Sequence, residues 1–116
     1  HARRKEAHVR LVNLTPHPVN LPGLTVAPAG QVARCAETTE PRGSVEVDGH
    51  TVQTVAKRFG AVEGLPAPEA GVLFVVSALA AQAAWAAGRR DVVVPGEPTR
   101  DAEGRVTGAK ALLVAP

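Results

Sequence analysis

Short runs of alternating apolar and polar positions, each closed by Pro, Gly, Asn or Asp, dominate the chain and predict strands rather than helices. They place strands near residues 10–14, 18–21, 31–35, 44–47, 51–59, 72–76, 92–94 and 105–114. Asp48-Gly49, between Val47 and His50, supplies the positive φ values that a tight I′-type turn needs, and predicts a hairpin there. The 10 prolines and 11 glycines exclude long helices from most of the chain. One stretch escapes this punctuation, residues 78–87, where Ser77 can cap the N-terminus and Gly88 can take the left-handed conformation that ends a helix. Leu79, Gln82, Ala83 and Ala86 follow helical spacing, but Ala on nearly every face leaves the buried side ambiguous. Residues 64–71 read as a loop held extended by prolines. The pattern is that of an α+β domain, small and mostly antiparallel, with one main helix near residues 78–87.

Length fits a single domain: 116 residues match one hydrophobic core of ordinary size. Residues 1–8 lack apolar periodicity and read as a tail or an expression-derived segment, with the domain over residues 9–116. Aromatics are only 3% (Phe59, Phe74 and Trp85) and Met is absent, so Val, Leu and Ala must fill the core. The formal charge of +2 is carried by Arg3, Arg4, Lys5 and Glu6, leaving the rest neutral. A neutral, aromatic-poor domain lacks both the positive field and the stacking platforms of a nucleic-acid binder. The longest apolar stretch, residues 72–87, is Ala-rich and interrupted by Ser77 and Gln82, which argues against a membrane span. Cys35 is the sole cysteine, so an internal disulfide is excluded and a reducing, cytoplasmic setting is expected.

Several residues could carry chemistry. Pro16 and Pro18 push Thr15 and His17 out of the α region, making an extended corner that displays Asn13, Thr15 and His17. That corner is either a strand–turn–strand joint or a ligand-facing surface. Ser77, where a strand meets the helix, either caps the helix alone or helps seat an anion. Arginine outnumbers lysine 10 to 3, which reflects codon usage and solubility or a preference for a phosphorylated small ligand, gripped by the planar guanidinium fork. Arg89 and Arg90 sit where cations suit a helix C-terminus. Asp101 and Gly104 fit a type I turn that holds Arg100 beside it, as a ligand clamp or as a partner of a nearby carboxylate. Phe74 is a core residue or the floor of a ring pocket. No metal-ligand spacing, nucleophile elbow or isolated acid pair is present, so neither a metal nor another cofactor is expected and catalysis is disfavoured.

The opening Val12-Asn13-Leu14-Thr15-Pro16-His17, Val75-Val76-Ser77 before the helix, the run Arg90-Asp91-Val92-Val93-Val94-Pro95-Gly96, and Arg100-Asp101 shortly before Gly104-Arg105 carry a resemblance. Over nearly the whole chain after Val9 they resemble a group of small proteins from phages, prophages and plasmids. Within that group the chain is similar to the Thoeris anti-defence sponge family, which sequesters cyclic ADP-ribose signals and silences a host immune pathway. The resemblance implies a homo-oligomer in the bacterial cytoplasm whose subunits enclose a nucleotide without cleaving it. By placement, Arg34 and Arg100 match the ligand-gripping arginines, and Phe74 matches an aromatic against the base. Asn13, His17, Ser77, Arg90 and Asp101 are binding candidates from chemistry alone. Two alternatives stand beside this expectation: a small nucleotide-processing enzyme using His17 or Asp101, and a structural or interaction protein of a mobile element.

Overall fold

Residues 9–116 are described by a computed structural model; the predicted tail lies outside them. In chain order the elements are β1 (Arg10–Asn13), β2 (Val19–Leu21), β3 (Leu24–Val26), β4 (Arg34–Val47), β5 (His50–Glu63), β6 (Val72–Val75), α1 (Ala78–Ala86), β7 (Val92–Arg100) and β8 (Val106–Leu113). The domain is α+β, as the pattern predicts.

Burial on both faces explains the continuous apolar run of β6. It lies between β1 and β7, parallel to both, and β8 closes the four-stranded sheet antiparallel to β7. Successive side chains alternate between two cores, as the two-residue repeat of a strand requires. Val72, Phe74 and Val76 join Leu14, Val92 and Val94 beneath α1, while Leu73 and Val75 join Val19, Val93 and Leu112 on the β2–β3 side. The parallel kernel β1–β6–β7 is a feature the strand pattern does not specify; the β2–β3, β4–β5 and β7–β8 pairs are antiparallel.

The helix resolves its ambiguous face through Ala80, Ala81 and Ala84, which are fully buried. Short side chains there let the helix axis approach the sheet. Leu79 and Gln82, on the face with the clearest helical spacing, are exposed. Ser77 Oγ accepts from Ala80 N at 3.3 Å, and Trp85 Nε1 donates to Val92 O at 3.0 Å, tying the helix to the start of β7.

Two strands run much further than expected. The segments 31–35 and 44–47 merge into one 14-residue strand, because Pro41 lies in a two-stranded ribbon whose outer edge needs no donor, next to a bulge at Pro41/Gly43. Similarly, β7 continues through Pro95 and Pro98: its pairing with β6 ends at Val93, so neither proline removes a ladder bond on that side. At the ribbon's tip Asp48 and Gly49 both have positive φ (50° and 80°), the turn expected there. The β4–β5 ribbon is an arm. Its projection raises the radius of gyration to 18.4 Å, against about 13 Å for a compact chain of this length.

The loop 64–71 is fastened by one partly buried ion pair. Arg89 donates to both carboxylate oxygens of Asp91 at 2.9 and 2.8 Å and to Pro66 O at 2.8 Å. Those bonds hold the Asp91 carboxyl below its ordinary range despite the opposing effect of burial. A depressed folded-state pKa contributes stability above the unfolded value of ~3.9 and loses it as pH falls through the folded value. Stability measured by denaturant titration is therefore expected to drop more steeply below about pH 5 in the native protein than in Asp91→Asn.

Candidate functional site

The carboxyl ends of parallel strands are where α/β sheets leave open crevices. Here the ends of β1 and β6, the start of α1 and the start of β4 enclose a cleft of about 440 Å³. Thr15, Pro16, Arg34, Glu37, Ser77 and Leu79 are among its lining residues. A second cleft of about 320 Å³ adjoins it, shares Cys35 and Leu79 with it, and continues along α1 past Gln82 and Ala83 to Phe59 and Gly60. Together they form a trough between the helix and the root of the arm.

The wall of this trough is set by Asn13. Its side chain is 1% exposed and fully engaged. Nδ2 donates to His17 O at 2.8 Å and Val26 O at 3.0 Å, while Oδ1 accepts from Thr15 N at 3.0 Å and Thr15 Oγ1 at 2.6 Å. The corner is therefore a strand–turn–strand joint, and Asn13 acts beneath the cleft rather than in it. His17 contributes its carbonyl to this joint, and its side chain is exposed.

Charge within the trough is unbalanced. Glu37 is held by Lys57 at 3.0 Å. Arg34 faces Glu63 in the strand register but makes no ion pair with any described residue. The result is an exposed guanidinium with its donors available, beside the Ser77 cap of α1. Phe59 is the one exposed aromatic among the described residues, at 49%, and Leu79 beside it is 48% exposed.

Of the sequence candidates, the structure brings Arg34 and Ser77 into one cleft, over the joint built by Asn13. The others lie elsewhere. Arg90 lines a shallow depression at the opposite, amino-terminal end of β7 and donates to Trp85 O at 3.3 Å and Arg89 O at 3.2 Å, the predicted helix-end position. Arg100 donates to Gly104 O at 2.8 Å, and Asp101 accepts from the N–H groups of Glu103 and Arg105 at 2.9 and 3.0 Å, so both brace the β7–β8 turn. Phe74 is 3% exposed in the helix-side core and lines none of these clefts. Phe59 escapes sequence reading because alternation in β5 cannot reveal which strand face the helix will flank. Among the described residues no three His, Cys, Asp or Glu side chains converge as metal ligands.

Comparison with protein-family profiles, characterised proteins and solved structures returns no match to the chain. No described helix is long and apolar enough to cross a membrane.

Replacing Asn13 by Ala takes the side-chain partner from Thr15 N–H and Val26 O in a part-buried setting, while His17 O keeps its bond from Thr15 Oγ1. The expected loss of stability is about 2–3 kcal/mol, read from the midpoint of urea unfolding.

Proposed function

We propose that the protein is a non-catalytic binder that sequesters a phosphorylated nucleotide signal of the cyclic ADP-ribose type, and thereby blocks a host anti-phage response. The observation that carries this reading is the unpaired Arg34 guanidinium at the wall of the cleft. A guanidinium whose donors are not committed to a carboxylate suits a phosphate, which it can grip bidentately. The same trough has the size range of small-molecule sites and a mixed lining of apolar side chains with a few polar groups. In this reading Arg34 and the Ser77 end of α1 hold phosphate, while Phe59 and Leu79 offer an apolar surface to the base.

The sequestering role rests on the resemblance to the Thoeris anti-defence sponges. Arg100 and Asp101, which that resemblance and the turn chemistry single out, hold the β7–β8 turn of the chain that carries them. Arg34 is accordingly the residue on which binding depends.

Cyclic ADP-ribose added in excess is expected to raise the melting temperature by mass action, about 2.7 kcal/mol at a hundred times Kd. Heat denaturation of the complex releases the nucleotide with its mass unchanged. Arg34→Ala weakens binding about 10- to 100-fold with the apo melting temperature preserved, since the side chain is exposed and bonded to nothing described. Phe59→Ala weakens it to a smaller degree. Recovery of a cleaved product, or a flat thermal response to the nucleotide, overturns the proposal.

A further inference from the structure

A carboxylate stands where the two clefts of the trough meet. Glu37 lines the cleft that holds Arg34 and Ser77, and its register partner across the β4–β5 ribbon is Phe59, which lines the adjoining cleft. Cys35, two residues before Glu37 on the same strand, borders both clefts. Glu37 is thus flanked by a guanidinium on one side and an aromatic ring on the other.

Only half of that carboxylate is engaged. Lys57 Nζ donates to Oε1 at 3.0 Å, and Oε2 accepts from no described residue. The ammonium offsets the negative charge that would otherwise repel an anion held at Arg34. An ionised carboxylate accepts hydrogen bonds and cannot donate them. It therefore offers nothing to a phosphate, and its partner on a ligand has to be an O–H or N–H group.

We propose that Glu37 is a specificity-determining residue that reads the ribose of the ligand, an inference that rests on the nucleotide-binding reading. In a nucleotide the sugar joins phosphate to base, and its 2′- and 3′-hydroxyls are the donors it offers there. With phosphate at Arg34 and the base against Phe59, the diol of the base-bearing ribose comes beside Glu37, where Oε2 accepts from a hydroxyl. The ligand class is accordingly a ribonucleotide with its diol free. A deoxyribonucleotide leaves the carboxylate oxygen facing no donor, and a site that hydrogen-bonds a ligand hydroxyl discriminates strongly against the analogue lacking it.

Isothermal titration calorimetry on the full chain compares cyclic ADP-ribose with its analogue lacking the 2′-hydroxyl of the adenine-bearing ribose. The native protein is expected to bind the deoxy analogue about 10-fold more weakly, the loss of one hydrogen bond to a charged group. Glu37→Ala brings the two affinities within about 2-fold of each other, whatever the released Lys57 does to both. Glu40→Ala, which removes a carboxylate paired with Arg42 and Arg58 outside both clefts, keeps the native ratio. The ratio in the native protein is a readout that no folding defect can move. Equal binding of the two ligands by the native protein, or a ratio that survives Glu37→Ala, overturns the role of Glu37 and leaves the nucleotide reading standing. Absence of binding by either ligand overturns that reading and this inference with it.

Discussion

The carboxamide of Asn13 is the interaction on which the arrangement of the site depends. It stands at the carboxyl end of β1, buried, and binds three separate stretches of backbone: its own strand's continuation at Thr15, the corner at His17 and the end of β3 at Val26. A buried amide in this position is tolerated only because every donor and acceptor is met. Beyond it, Leu14 N–H bonds Val75 O, and Ala33 N–H bonds Leu14 O. Those bonds carry the geometry from the end of β1 to the start of β4, where Arg34 emerges. One fixed amide thus relates the parallel kernel, the corner and the cleft wall.

The kernel provides the rigid side of the trough. Because β6 is covered on both faces, its end cannot shift without repacking two cores, and Ser77 and α1 follow directly from it. The opposite side is the root of the two-stranded arm, held by its own ladder, by Val62 against the helix-side core and by Gln31 Nε2 donating to Gly64 O at 2.9 Å. The trough therefore lies between the sheet-and-helix kernel and the root of the arm.

Much of the fold is legible in the sequence because it is local. Asp48-Gly49 fixes the arm's turn, Ser77 and Gly88 bound the helix, and Asp101 to Gly104 closes the last hairpin, each through chemistry contained within a few residues. What escapes is set by partners distant in sequence. Pro41, Pro95 and Pro98 read as strand breakers, yet Pro41 lies in a ribbon of only two strands, and Pro95 and Pro98 lie beyond the end of the β6–β7 pairing, where β7 has a single neighbour. β3 is missed because three exposed or half-buried residues leave little alternation to detect. The helix, with Ala on nearly every face, gives no direction until the sheet beside it is known.

The candidate site follows the same division. Arg34 and Ser77 could be nominated from residue type and placement, while Arg90 and Arg100 share that chemistry yet stand at other ends of the sheet, bonded to carbonyl groups of their own turns. Arginine richness marks a propensity, and only topology decides which guanidinium is left with its donors free. The most direct measurement is a nitrogen–proton correlation spectrum of the labelled protein titrated with cyclic ADP-ribose. The account predicts that the shifted amides trace the trough, from Thr15 and Arg34 through Ser77 and Leu79 to Phe59. Shifts confined to the β7–β8 turn around Arg100, or to the Arg90 end of the sheet, would contradict it.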